Sequence, residues 1–290
     1  LEITQGVFSY LLFNYFILAV LVIAMIFYPD IDVKDYKTLI KLDVVSSLFV
    51  SIVLVILYSK LIISDKNKIK QQGKRGIKKF FEMCLVGFVS FMGVKILASI
   101  VETTMFGIFG LEYQTSENQS LIEQMTGSAP LLMAISACIF APITEELIFR
   151  GAIKNIIKNK KVFITVSGLI FGLIHVTDSM LLIFEIAVIG VLLDTIIHKE
   201  SIDKSDKILL SVTMTVILLI IFGGIFYFQY GNLIFKLQSL NMAEVIGSIT
   251  YIIMGVYLAY LYAKHDSILL NMGIHAFNNI FSMIMILSLI

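Results

Sequence analysis

Charge is scarce in this chain. Of its 290 residues, 15% are Asp, Glu, Lys or Arg and 58% are hydrophobic, with a mean hydropathy of +0.94. Globular domains carry about 25% charged residues, so the polar surface a soluble fold needs is lacking. The formal net charge is only +1, which excludes the basic footprint of a nucleic-acid binder. Cysteine is limited to Cys84 and Cys138, both inside apolar runs. They read as small buried hydrophobes, which leaves neither a disulfide framework nor a metal pair. Three prolines and no long polar stretch confine disorder to short loops. There is no tandem repeat, no separate soluble domain and no His-Glu-x-x-His sequence.

What is present is a series of apolar runs of about 20 residues, each long enough to cross hydrocarbon as a helix. The fold expected is all-α, a polytopic transmembrane bundle of eight to nine spans. They fall roughly at 7–28, 43–63, 80–109, 130–157, 162–176, 180–197, 208–228, 246–263 and 267–289. The first run is too long for a signal-peptide core and lacks a small-residue cleavage site. Because residue 1 is Leu, the natural start is expected to be missing or replaced. One integral membrane domain is expected, with N-terminal helices over 1–129 and a helical core over 130–290.

Short-loop Lys and Arg set orientation. The segment 60–79 carries Lys60, Lys66, Lys68, Lys70, Lys74, Arg75, Lys78 and Lys79 against Asp65, and 150–161 carries Arg150, Lys154, Lys158, Lys160 and Lys161 with no acid. Both are expected on the cytoplasmic side. The loop between them, with Glu112, Glu117 and Glu123, is expected outside. Counting spans then puts the N-terminus and the 264–266 turn inside.

Four polar positions interrupt the apolar helices: Glu145-Glu146, His175, His275 and Asn279. Ionisable groups in hydrocarbon usually face the protein interior and mark a site. Glu145 lies fifteen residues before Lys160 and His175 fifteen after it. Each is therefore about 22 Å from that turn along its helix, so the two face each other across a hairpin. His275 and Asn279, about 15–21 Å past His265, share a face of the last helix and can join them. Adjacent helical residues point about 100° apart, so Glu145 and Glu146 are not expected to face one partner. Glu146 stands four before Arg150 in the acid-first order and is assigned to that arginine as support. Glu145 is left to face His175. Phe171, one turn before His175, is expected to fix the imidazole and exclude water. A single intramembrane His could simply donate to a carbonyl on another helix; four groups meeting at one depth point to a site. Two carboxylates, two imidazoles and a carboxamide can activate a water and stabilise an oxyanion. Lys95 and Glu102, seven apart on one helix, are expected to pair or snorkel, and Glu185 is the outside candidate for a site role.

These residues resemble the CPBP family of intramembrane endopeptidases, also called the CAAX-protease and bacteriocin-processing or Abi family. Its Glu-Glu-x-x-x-Arg motif corresponds to Glu145–Arg150, its Phe-x-x-x-His to Phe171–His175, and its His-x-x-x-Asn to His275–Asn279. The resemblance covers about 130–290 and departs in the hundred residues between the last two motifs. It implies that Glu145 takes a proton from the attacking water, which His175 helps to hold, and that His275 and Asn279 stabilise the oxyanion. Neither a cofactor nor a metal is then required. Zinc, which two His and one Glu could also hold with an open position, is the alternative of lesser weight.

The function expected is hydrolysis of a peptide bond in a membrane-associated peptide or protein, with the lipid bilayer as surroundings. A non-catalytic immunity or scaffold protein that binds a peptide or membrane partner is the alternative. The frequent Ile, Lys and Asn suggest a bacterial plasma membrane as the location, which argues against a prenylated substrate. Oligomeric state is not encoded visibly.

Overall fold

A computed structural model of the chain describes residues 2–113, 115–175 and 242–289. The expected spans at 180–197 and 208–228, with Glu185, lie outside the described residues. Every regular element described is helical: α1 Glu2–Phe27, α2 Tyr36–Leu57, α3 Ser59–Gln71, α4 Gly73–Ile108, α5 Glu117–Ser128, α6 Pro130–Ile156, α7 Lys160–Leu173, α8 Met242–His265 and α9 Ile268–Leu287. Five of these, α2, α4, α6, α8 and α9, are long and apolar enough to cross a membrane. Large apolar side chains stay exposed on their outer faces, among them Leu85, Val89, Ile96 and Ile100 on α4 and Ile284 on α9. A surface of that kind suits hydrocarbon rather than water.

Helix starts follow short polar side chains that accept otherwise unpaired N–H groups. Asp35 accepts from Thr38 at 3.0 Å before α2, Asn159 from Lys161 at 3.0 Å before α7, and Ser267 from Leu270 at 3.2 Å before α9. Ser116 does the same for α5, at 3.2 Å from the Gln119 N–H. That helix occupies part of the stretch expected as an external loop. The basic segment 60–79 is also helical rather than a loop. Lysine favours helix, and the only break is at Gly73, whose φ of +60° a side chain would strain.

One end of the bundle gathers the basic segments. Buried Asp65 on α3 accepts the Ser267 hydroxyl at 2.8 Å and the Leu269 N–H at 2.9 Å, adding a carboxylate to the positive end of α9. Lys68 pairs with Asp266 at 2.9 Å, but both side chains are more than half exposed, so this pair adds little stability. Gln5 at the start of α1 donates to the Leu57 carbonyl at 2.9 Å, and Gly6 lies against Ile156 at the end of α6. The 60–79 segment, the 264–266 turn and the end of α6 therefore share one side.

The core between α7 and α8 is a close helix crossing. Gly168 and Gly172, one turn apart, meet the backbone at Val256 and Ile252, while a side chain on Gly255 would run into the Gly168 carbonyl and Phe171. Small residues let two backbones approach where no water-driven force presses helices together. Gly168→Leu should lower the thermal unfolding midpoint in detergent, by about 1–3 kcal/mol of overpacking. Gly93→Ala, in open space, should not lower it. Equal melting of the two variants would contradict the close crossing.

Candidate active site

Two π-helical turns shape the helix that carries the acids. They span Ser136–Phe140 and Leu147–Ala152 in α6, with Glu145 and Glu146 between them. Such turns insert an extra residue, re-aim the side chains that follow and often mark functional sites. The first has a sequence cause. The Ala141 N–H reaches back to Ser136, and Pro142, next in line, has no N–H. The Ala137 carbonyl thus loses both ladder donors, and Asn279 Nδ2 supplies the bond at 2.7 Å. In the second turn the Phe149 carbonyl accepts the Ser167 hydroxyl from α7 at 2.8 Å. Both turns are stitched to a neighbouring helix.

Glu146 is wholly buried and engages three partners. Arg150 Nε lies 3.3 Å from Oε2, Asn271 Nδ2 donates to the same oxygen at 3.2 Å, and His275 Nδ1 donates to Oε1 at 2.9 Å. Arg150, also fully buried, donates to the Gly255 carbonyl at 3.1 Å and lies 4.7 Å from the centre of the Phe171 ring. A buried charge needs such company, since leaving water costs several kcal/mol per ion.

Glu145 Oε2 stands between the two imidazoles. His175 Nε2 is 3.7 Å away and His275 Nε2 3.8 Å, and among the described residues this buried oxygen has no hydrogen-bond donor. The far nitrogen of each ring is already committed, His175 Nδ1 to the Phe171 carbonyl at 2.6 Å and His275 Nδ1 to Glu146. Both partners can only accept, so each Nδ1 carries a hydrogen, and in a neutral ring the Nε2 offers a lone pair. Three acceptors then converge on one point. Such a site suits a small molecule with more than one O–H or N–H donor, as water has.

The structure thus brings Glu145, His175 and His275 together, with Glu146, Arg150 and Phe171 behind them. It does not bring Asn279 to them: its contacts are the Ala137 carbonyl and Asn278 Nδ2, which donates to its Oδ1 at 3.0 Å. The expectation that Glu145 and Glu146 cannot share a partner is corrected. His275 touches both, because its two ring nitrogens lie on different edges and span the angle between the acids. Lys95 and Glu102 do not pair either. Lys95 donates to the Ser282 hydroxyl at 3.2 Å and Glu102 accepts the Thr250 N–H at 3.2 Å, each drawn to a different helix. Sequence reasoning missed Asn271, although it stands four before His275 and so on its face. It also missed Tyr251, whose ring stacks on His175; nothing in the sequence around Tyr251 marks it. Among the described residues, no group of three or more His, Cys, Asp or Glu side chains is arranged to hold a metal ion.

Stability should separate these roles. Arg150→Ala strands a buried carboxylate and should cost about 3–5 kcal/mol. Asn279→Ala unpairs the Ala137 carbonyl, a loss of about 1–3 kcal/mol. Glu145→Gln breaks no hydrogen bond among the described residues and should melt near the parent. Glu145→Gln melting as early as Arg150→Ala would reverse the division between the two acids.

Comparison with curated proteins and with solved structures finds no match. Comparison with protein families matches residues 127–212 to the type II CAAX prenyl endopeptidase Rce1-like family. The match takes in Glu145, Glu146, Arg150, Phe171 and His175 and ends before His275, so it is shorter than the 130–290 expected from the motifs. The family those motifs resemble is thus also the one that residues 127–212 match.

Proposed function

We propose that the chain hydrolyses a peptide bond in a membrane-associated peptide or protein, with Glu145 as general base. The observation that carries this reading is Glu145 Oε2 set between two imidazole nitrogens at 3.7 and 3.8 Å. In the proposed reaction a water bound by Glu145 and His175 attacks the carbonyl carbon. A C–O bond forms as a water proton passes to Glu145. The carbonyl oxygen becomes an oxyanion, met by His275 Nε2–H when that ring carries its second proton; the positive ring then faces the Glu146 carboxylate, 2.9 Å from Nδ1. When the C–N bond breaks, Glu145 returns its proton to the leaving nitrogen. Glu146 is a positioning residue in this scheme. Asn279 holds α9 against α6 one turn beyond His275 and is a positioning residue too.

The basic end of the bundle is taken as cytoplasmic, by the Lys/Arg rule. Glu145 and His275 then lie in helices that end or begin at that face, and the substrate reaches them from the cytoplasmic side or sideways between helices. Zinc remains the competing chemistry, since Glu145, His175 and His275 include the donor types it prefers.

Membranes from cells producing the parent chain or Glu145→Gln, at matched abundance, can be compared for new peptide termini by mass spectrometry. Termini present only with the parent are expected, close to the cytoplasmic boundary of membrane proteins. Identical sets would overturn the hydrolytic reading and favour an immunity or scaffold role. Product formation should also survive exhaustive chelation; stoichiometric zinc whose removal abolishes it and whose return restores it would replace the glutamate scheme.

Cysteines placed at 66–74 should react with impermeant probes only from inside, and those at 115–120 only from outside. The reverse pattern would invert the topology.

A further inference from the structure

We infer that Tyr251 is a positioning residue for His175, an aromatic wall that fixes the plane of the imidazole. Its bearing on catalysis rests on the hydrolytic reading above. His175 lies beyond the last residue of α7, in a turn where its N–H donates to the Gly172 carbonyl at 3.2 Å. The helix therefore does not hold the ring by itself. The bond from Nδ1 to the Phe171 carbonyl fixes one point of the imidazole, yet the ring can still swing about that N–H···O axis. Tyr251 of α8 removes this freedom. Its ring lies nearly parallel to the imidazole, at 11°, with centroids 5.3 Å apart, while the Phe171 ring packs at 4.5 Å and 36°. One hydrogen bond and one stacked face together set the direction of Nε2, which points at Glu145 Oε2.

Tyr251 is itself held. Its hydroxyl is 3.2 Å from Ser116 Oγ, the cap of α5, and the neighbouring Thr250 N–H donates to Glu102 on α4. The His175 wall is thus tied to two helices other than those that carry the acids. Sequence patterns hide this tie, because Tyr251 belongs to none of the three motifs and sits in an ordinary apolar helix.

The full chain in lipid nanodiscs, labelled with ¹⁵N-histidine, provides the test. It has four histidines, so the His175 signals can be assigned by loss in His175→Gln. Tyr251→Phe keeps the ring and should keep the ring-current displacement of the His175 protons. Tyr251→Leu should abolish that displacement and lower the rate of Glu145-dependent product formation about ten- to a hundredfold, as expected for a misplaced reacting group. The pH profile of that rate should move as well, with the unfolding midpoint near the parent. If Tyr251→Leu melts early, Tyr251→Met, of similar bulk but without a ring, takes its place. Unchanged His175 signals or an unchanged rate in the ringless variant would overturn the inference. So would a Tyr251→Phe variant as impaired as Tyr251→Leu. Should Glu145→Gln reveal no missing products, the hydrolytic reading fails by itself, and the histidine signals still report whether the ring is held.

Discussion

A single buried carboxylate, Glu146, organises the middle of this molecule. It lies out of reach of water, so its charge must be met by the protein. Arg150 meets it from the same helix, Asn271 and His275 from α9. Those bonds fasten the last helix to the acidic helix at one depth and in one rotation. Asn271 also donates to the Leu258 carbonyl at 2.8 Å, and Arg150 to that of Gly255, which draws α8 into the same knot. With α8 and α9 so placed, His275 can present only its Nε2 to Glu145. The second acid of the pair is thus free of structural duty because the first takes all of it.

The irregularities of α6 serve the same end. Glu145 and Glu146 lie in the regular α-helical stretch of α6, point about 100° apart and meet different edges of His275. The two π turns flank them, and Pro142 removes the N–H that would let the ladder close. Asn279 and Ser167 then satisfy carbonyls in these turns and bind α6 to α9 and α7. The departures from ideal geometry and the contacts between helices have one origin. Backbone groups in a membrane need partners, and here side chains from neighbouring helices supply them. Glycines complete the arrangement. Gly168, Gly172 and Gly255 bring α7 and α8 together, and Gly255 leaves room for the Phe171 ring, which lies against Arg150 and both imidazoles.

Much of this was legible in the chain before any coordinates. Composition and run length sufficed for a helical membrane protein, since a span must be long, apolar and internally hydrogen-bonded. Helical arithmetic put Glu145, His175 and His275 at one depth, and the i, i+4 rule paired Glu146 with Arg150. It erred where local rules are incomplete. Basic and acidic stretches read as loops are the helices α3 and α5, because charge alone does not oppose helix. Lys95 and Glu102 share a helix face but reach different helices. The role read for Asn279 from its motif gave no hint that Pro142 had left a carbonyl for it to serve.

The sequence by itself determined the class of fold, the residues able to carry charge into the membrane, and the spacing that lines them up. These are properties of composition and of period along one helix. Tertiary structure alone decided which nitrogen of each imidazole faces Glu145, that Glu146 holds His275 as well as Arg150, and that Tyr251 lies against His175. Each depends on the rotation and separation of helices far apart in the chain. Those are set by glycine contacts, π turns and the pairing of a buried charge, and no local pattern records them.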